Sequence, residues 1–168
     1  RIHNPEKVPI AMEMLRRAGI ERTSVDLIFA VPGQTIEQWD SDLQTALQLP
    51  IEHISAYGLT YEPGTAMTAR LSKGEFRQAP DDLEARMYQH TIERLKSHGF
   101  ERYEVSNHAK PGAECRHNLA YWTSQNWLAV GPSASGHFNG TRWKNAPRLD
   151  DYLKIDDDGF APLCDYEV

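Results

Sequence analysis

A strand that runs directly into a turn and a helix constrains this fold more than any other feature. Residues 25–31 read Val-Asp-Leu-Ile-Phe-Ala-Val, and a nearly continuous apolar run is typical of a strand covered on both faces. Pro32-Gly33 breaks the strand, and Thr35 with Gln38 has the form of a capping box that begins a helix. We therefore predict a β-turn-α unit of a parallel α/β protein, in which ligands gather at the carboxyl ends of the strands.

Hydrophobic periodicity predicts further elements on both sides of this unit. Asn139-Gly140 between two short strands has the signature of a type I′ hairpin. Residues 65–79 show little periodicity, and we place a domain boundary or a long active-site loop there. The remaining patterns predict helices at about 8–19, 36–48, 81–98 and 147–155, and strands at about 24–31, 53–59, 100–106 and 127–131.

The composition excludes several classes of protein. The 168 residues are 40% hydrophobic and 25% charged, without an apolar run long enough for a membrane span or a secretory signal, so we expect a cytoplasmic protein. A net charge of −6 argues against a nucleic-acid partner bound through a general basic field. Cys115 and Cys164 are most simply reduced thiols. Because the sequence begins at Arg1 without a methionine, we interpret it as a fragment.

One carboxylate inside the apolar run is the first candidate for function. Asp26 lies between Val25 and Leu27, and an unpaired carboxylate in a dry strand costs several kcal/mol. Such a group is either paired with a nearby arginine or backbone amide, or it contacts a ligand. The residues alone leave both interpretations open.

A second candidate is the stretch from Glu114 to Trp122, which collects donor, ligand and stacking groups. Cys115 and His117 are too few for a structural zinc site. A structural polar cluster and an iron or tetrapyrrole contact through His117 both remain open. Tyr121 and Trp122 suit either a core or a platform for a flat ligand. Without a nucleophile elbow, P-loop or GxGxxG motif, the residues do not name a reaction.

Motifs in both halves of the chain resemble those of one family. The motifs are residues 25–35, 53–57 and 62–65 in the first half, and 103–107 and 116–122 in the second. They are similar to the HemW family of radical-SAM heme chaperones, which resemble oxygen-independent coproporphyrinogen III oxidase. The last segment carries an HNxxYW pattern. The resemblance covers about residues 1–155 in order and with few gaps.

The resemblance implies a fold and a cofactor site. Residues 1–62 would form the last two strands of a parallel (β/α)6 partial TIM barrel, and 63–168 a mixed α+β C-terminal region that is incomplete at its end. S-adenosylmethionine would be contacted by Arg1, Asp26 and Thr60. Charge-assisted hydrogen bonds from such groups suit the ribose and amino-acid parts of this cofactor.

The resemblance also implies a tetrapyrrole site. By the family pattern, heme or a related tetrapyrrole would contact His117, Asn118, Tyr121 and Trp122, with His117 as the candidate heme-iron ligand. The implied partners are heme and a heme-recipient protein. A peripheral association with a membrane, without a membrane span, is compatible with this interpretation.

Several departures from the family pattern bear on function. The CxxxCxxC motif for the [4Fe–4S] cluster is absent, so we expect the cluster ligands outside this chain, in a missing N-terminal half, and the chain alone to be inactive. Ala30 stands where glycine is more usual, and His108 where an aromatic residue is expected.

Three functions remain open under this resemblance. The HNxxYW pattern favours a chaperone that binds S-adenosylmethionine and heme and delivers heme. The first alternative is a coproporphyrinogen III oxidase that decarboxylates propionate side chains in heme biosynthesis. The second is a degenerate domain that only binds a protein partner.

Overall fold

A computed structural model describes residues 6–154 and the main chain of residues 163–165. The chain divides into two compact units, Arg1–Glu114 and Cys115–Val168. The boundary predicted after residue 62 lies inside the first unit. The predicted boundary marks the end of the barrel portion, whereas the division at Glu114 separates two compact units, so the boundary after residue 62 stays a prediction.

Helices and strands alternate through most of the first unit. Its elements are α1 (Lys7–Arg17), β1 (Ser24–Phe29), α2 (Ile36–Leu47), β2 (His53–Gly58), α3 (Ala66–Ser72), α4 (Asp81–Lys96), β3 (Glu101–Arg102) and β4 (Asn107–Ala109). The second unit contains α5 (Arg116–Trp122), β5 (Ser135–Phe138), β6 (Thr141–Asn145), α6 (Leu149–Tyr152) and β7 (Leu163–Asp165).

The predicted β-turn-α unit is confirmed. β1 and β2 pair in parallel with Ser24 opposite His53, and α2 connects them. The Thr35 side chain accepts from the Gln38 backbone N–H while the Gln38 side chain accepts from the Thr35 N–H, which is the predicted capping box. β4 and β3 extend the sheet with antiparallel pairs in the order β1-β2-β4-β3. The first unit is therefore a mixed α/β structure.

The core of the first unit lies between this sheet and the helices on one of its faces. Trp39 and Leu43 of α2, Met87 of α4 and Ile54 of β2 are almost completely buried. The Trp39 indole N–H donates to the buried Thr91 hydroxyl at 2.8 Å, so this polar edge is satisfied inside the core.

The prediction that β1 is covered on both faces is wrong. Along the strand Ser24, Asp26 and Ile28 are exposed, while Phe29 is buried. β1 is the edge strand of the described sheet, and the helices cover one face only. A short apolar run does not distinguish an edge strand with an apolar outer face from a strand buried on both faces. The expectation of a carboxylate in a dry strand therefore does not hold for Asp26.

The residue after β1 adopts a conformation that favours glycine. Ala30 has a φ of 60° and is 3% exposed, and this left-handed conformation costs a non-glycine residue about 1–2 kcal/mol. The departure noted in the sequence, alanine where glycine is more usual, thus lies at a strained position.

We expect Ala30→Gly to raise the free energy of unfolding by about 0.5–1 kcal/mol, because relief of strain exceeds the extra entropy of glycine in the unfolded chain. Urea unfolding followed by tryptophan fluorescence and far-ultraviolet circular dichroism measures this change. Ala85→Gly, the same replacement at an exposed position inside α4, is the control and should cost about 1 kcal/mol. Equal destabilisation by both replacements would contradict the argument.

Three local predictions differ from the structure. The segment at 65–79, which shows little periodicity, contains α3. This helix buries none of its residues, so its sequence carries no apolar stripe. The Thr65 side chain caps its start by accepting from the Thr68 N–H at 3.2 Å. Within the strand predicted at 100–106 the structure forms only the two-residue β3, and β4 begins after it at Asn107. Of the strand predicted at 127–131, the structure forms a single bridge, between Trp127 and His137.

The hairpin of the second unit is confirmed. β5 and β6 pair antiparallel, and Asn139 and Gly140 at their turn have φ values of 49° and 82°. Both positive values are those of a type I′ turn. The helix predicted at 147–155 is present as the shorter α6, and residue 155 lies outside the described residues.

Candidate functional site

Polar side chains gather on one face of the first unit's sheet. Ser24 and Asp26 of β1 stand beside His53 and Ser55 of β2, and Asn107 of β4 stands beside Ser55. Register partners project to the same side of a sheet. We call these five residues the polar face, and it is opposite to the face that packs on the helices.

His53 is the most connected member of the polar face. Its Nδ1 lies 2.8 Å from the Ser24 hydroxyl and its Nε2 lies 2.7 Å from the Tyr103 hydroxyl. Burial lowers the pKa of His53, against the opposing charges of Asp26 and Glu104. The Glu104 carboxylate accepts from the Ser106 N–H at 2.8 Å and from the Asn107 amide. The polar face therefore holds a neutral imidazole between two hydroxyls, beside an exposed carboxylate.

The residues predicted to contact S-adenosylmethionine fall on neighbouring parallel strands. Asp26 lies inside β1 with an exposed side chain. Thr60 follows β2, where its exposed hydroxyl donates to the Gly58 carbonyl at 3.4 Å. Arg1 lies outside the described residues. Thr60 is therefore at the carboxyl end of a parallel strand, whereas Asp26 is in the middle of its strand. A carboxylate and a hydroxyl are suited to hydrogen bonding of polar ligand groups.

A pocket on the helix side of the sheet was not predicted. Its volume is about 460 Å³, and its lining includes Phe29, Gly58, Glu84 and Tyr88, within the size range of ligand sites. A Cβ at Gly58 would lie 2.6 Å from the Glu84 carboxylate, so glycine lets this acid approach β2 closely. In the sequence Glu84 is only one of several acids in the first turn of α4.

The second unit brings four rings into one row. The His117 and Tyr121 rings meet edge to face at 4.9 Å, Tyr121 stacks on Trp127 at 4.2 Å, and Trp127 contacts His137 at 4.9 Å. We call these four residues the aromatic row. His117 and Tyr121 are one turn apart on α5, a helix that the hydrophobic pattern did not predict.

The predicted tetrapyrrole residues are only partly brought together. His117 is exposed and contacts Tyr121, whereas Trp122 is 63% exposed and Asn118 is half-buried. The aromatic row thus begins with two of the four residues that the resemblance implied.

Three residues of this region were missed by sequence reasoning. Trp127 is buried, and its indole N–H donates to the Ser135 carbonyl at 2.9 Å. His137 lies against the Trp127 ring with 4.9 Å between the ring centres, and Arg142 places its guanidinium 5.5 Å from the centre of the same ring. Local periodicity carries no signal for these contacts, because they depend on pairing between separate segments.

Metal-binding groups are sparse in residues 6–154 and the described part of 163–165. No group of three or more His, Cys, Asp or Glu side chains there is arranged to hold a metal ion. The whole sequence contains two cysteines, fewer than the thiolates that a [4Fe–4S] cluster takes. The cluster therefore does not fit this chain's own residues. None of the described helices has the length and apolarity to cross a membrane.

Comparison with known proteins identifies relatives, although no family model matches the chain. The chain is 37% identical to the heme chaperone HemW of Bacillus subtilis, over 100% of the chain and 45% of that protein. It is 42% identical to the mitochondrial radical S-adenosyl methionine domain-containing protein 1 of Mus musculus, over 70% of the chain and 26% of that protein. The chain thus spans less than half the length of these curated relatives.

A solved structure shares the fold. Coproporphyrinogen III oxidase (HemN) from Escherichia coli, described as a radical SAM enzyme, superimposes with a TM-score of 0.74 at 20% identity, covering 97% of the chain and 40% of HemN. This likeness shows the fold alone. The resemblance to the HemW family rests on the sequence relatives: the chain is a homologue of the HemW heme chaperones, matching 45% of the length of the Bacillus subtilis protein.

Proposed function

We propose that this chain belongs to a radical-SAM protein that binds S-adenosylmethionine and heme and delivers heme to recipient proteins. The observation that carries the proposal is the exposed His117 at the start of the aromatic row, in a chain homologous over its whole length to a protein named heme chaperone. Imidazole is a common axial ligand of heme iron, and aromatic rings favour contact with a flat macrocycle.

The donor set of the second unit fits a heme. His117 supplies an accessible imidazole, the exposed Tyr121 supplies an aromatic ring that stacks on the buried Trp127, and the exposed Arg142 supplies a cation suited to a propionate. When bound, heme brings an iron with axial positions that a protein ligand can fill. The role of these side chains is to bind and orient the macrocycle and to present it for transfer.

The first unit is proposed as the S-adenosylmethionine side of the protein. Arg1, Asp26 and Thr60 would hold the cofactor's polar groups, and β1 and β2 would be the last two strands of a (β/α)6 partial barrel. Two observations support this assignment: the strands are parallel, and the outer edge of β1 is unpaired within the described sheet, so it could accept a further parallel strand. The [4Fe–4S] cluster would be bound by residues of the full-length protein that this chain does not contain.

A coproporphyrinogen III oxidase is the second candidate, since the sequence motifs of the HemW family resemble those of that enzyme. The two functions differ in a measurable product. Anaerobically reconstituted full-length protein of the chaperone type should bind heme without decarboxylating coproporphyrinogen III, whereas an oxidase should release carbon dioxide from the propionates. Steady formation of decarboxylated product would overturn the chaperone assignment.

His117→Ala in the full-length protein should weaken heme binding at least about tenfold and change the Soret absorption, because the imidazole ligand is lost. Titration with hemin, followed by absorbance, measures both. His98→Ala removes an exposed histidine of the first unit and should leave the titration unchanged. An unaltered spectrum and affinity in His117→Ala would remove His117 from the heme site.

A further inference from the structure

The pocket on the helix side of the first unit's sheet combines carboxylates with apolar surface. Its volume is about 460 Å³, and it lies beside the carboxyl ends of β1 and β2, the start of α4 and residues 105–106. Its lining includes two acids, Asp81 and Glu84, and apolar surface from Phe29, Ala56, Ala85 and Val105. The carboxylates disfavour an anion, and the apolar surface disfavours a bare hydrated ion.

The main chain of β2 gives one of these carboxylates its place in the pocket. A Cβ at Gly58 would lie 2.6 Å from Glu84 Oε1 and 3.6 Å from the tip of the Phe29 ring. The first distance is too short for two atoms that are not bonded to each other, so the carboxylate occupies space that a side chain at residue 58 would fill. The acid and the aromatic ring therefore face the same space at the end of β2.

The charge of the Glu84 carboxylate is not neutralised by an ion pair among the described residues. Glu84 is half-buried, and the ion pairs in that part of the chain involve other acids. Its charge acts on Tyr61, whose pKa is raised by burial and raised further by Glu84. The carboxylate thus lacks a cationic partner, which a ligand can supply.

An aromatic side of the pocket is held in place by hydrogen bonds. The Tyr88 hydroxyl donates to the Val105 carbonyl at 3.0 Å and accepts from the Arg102 guanidinium. The guanidinium lies 5.9 Å from the centre of the Tyr88 ring, so this cation is engaged with the tyrosine. Because the hydroxyl is fixed as donor and as acceptor, little ordering of this side is needed on binding.

We propose that this pocket binds a small organic amine in its protonated form, an inference that does not depend on the proposed heme binding. The ammonium group donates charge-assisted hydrogen bonds to the Glu84 carboxylate, and Asp81 adds a second negative charge. The apolar part of the amine lies against Phe29, and aromatic rings also attract the cation. A metal ion is a poorer occupant, because no group of three or more His, Cys, Asp or Glu side chains in the described part of the chain is arranged to hold one.

The structural alternative is that Asp81 and Glu84 only stabilise the start of α4, where acids interact favourably with the helix dipole. Asp82 separates the two roles, because it is an exposed acid of the same turn and is not part of the pocket lining. Glu84→Gln and Asp82→Asn each remove one negative charge and keep the side-chain shape. A dipole role alone predicts similar changes in melting temperature for both variants and no effect on ligand binding.

The test is isothermal titration calorimetry of the full-length protein with phenethylamine, which is protonated at neutral pH. Phenethyl alcohol is the neutral comparison ligand and phenylpropionate the anionic one. The wild type should bind the amine at least about tenfold more tightly than the alcohol, the ratio expected for a charge-assisted hydrogen bond. It should show no measurable binding of the carboxylate.

The variants place the ammonium group in the pocket. Glu84→Gln should weaken amine binding at least about tenfold, whereas Asp82→Asn should leave it unchanged. Gly58→Ala keeps every charge but places a methyl group where the carboxylate lies, so it should weaken amine binding as well. The melting temperature of each variant shows that it is folded.

Three results would overturn the inference. The first is equal amine affinity in the wild type and Glu84→Gln, or no amine binding by the wild type. The second is equal binding of phenethylamine and phenethyl alcohol. The third is equal weakening by Glu84→Gln and Asp82→Asn, because binding would then follow net charge rather than the pocket. Heme binding can stand in each case, since no residue of this pocket belongs to the proposed heme site.

Discussion

His108→Phe is expected to raise the free energy of unfolding of the first unit at neutral pH, and to make the loss of stability in acid smaller than in the wild type. His108 is 1% exposed, and among the described residues neither ring nitrogen has a partner in hydrogen-bond geometry, although the Ser106 backbone lies close enough to oppose the lowering of its pKa. A buried polar group without a partner costs about 1–3 kcal/mol. Phenylalanine has a similar shape without this cost, so we expect a gain of about 1–2 kcal/mol at pH 7.

The acid response follows from the pKa of His108. Burial lowers it to about 4, with the Arg102 charge acting in the same direction and Glu104 opposing. An unfolded chain takes up this proton near pH 6.5, whereas the folded chain does so only near pH 4. The contribution of the neutral His108 to the free energy of unfolding is therefore fully present above pH 6.5, and roughly 3 kcal/mol of it is lost as the pH falls from 6.5 to 4.

Urea unfolding at about pH 7.5 and about pH 4.5 measures this loss. His108→Phe should lose less stability between the two pH values than the wild type does. His98→Phe makes the same replacement at an exposed position and should keep the wild-type pH dependence. If His108→Phe and the wild type lose equal stability in acid, the buried histidine is not the source.

Gly136→Ala should destabilise the hairpin of the second unit by about 1–3 kcal/mol. Gly136 is the register partner of Trp143, and a Cβ at residue 136 would lie 2.2 Å from a ring carbon of Trp143. An indole ring cannot yield as a flexible chain end does, so the ring or the strand must move.

A double-mutant cycle tests this steric cause. Melting temperature and near-ultraviolet circular dichroism should change in Gly136→Ala and hardly at all in Ser135→Ala, the control on the same strand. Trp143→Val should cancel most of the extra cost of Gly136→Ala, since the clash partner is then gone. Additive effects of the two replacements would show that the contact is not responsible.

Local signals predicted the elements that local chemistry controls. The capping box at Thr35 and the Asn139-Gly140 turn depend on residues a few positions apart, and the structure has both. The exposure of Asp26 could not be read in this way, because it depends on which elements cover β1.

The larger part of the aromatic row depends on tertiary pairing. Trp127 meets His137 through a bridge between separate segments, and neither periodicity nor composition contains that register. The S-adenosylmethionine contacts at Arg1, Asp26 and Thr60, and the cytoplasmic location expected from the sequence, stay predictions.

The central claim is that the protein containing this chain binds heme, and hemin titration of the purified full-length protein tests it most directly. The account predicts saturable binding of one heme with a Soret band that depends on His117, and no decarboxylation of coproporphyrinogen III by the reconstituted protein. Absence of heme binding, together with decarboxylation of coproporphyrinogen III, would contradict it.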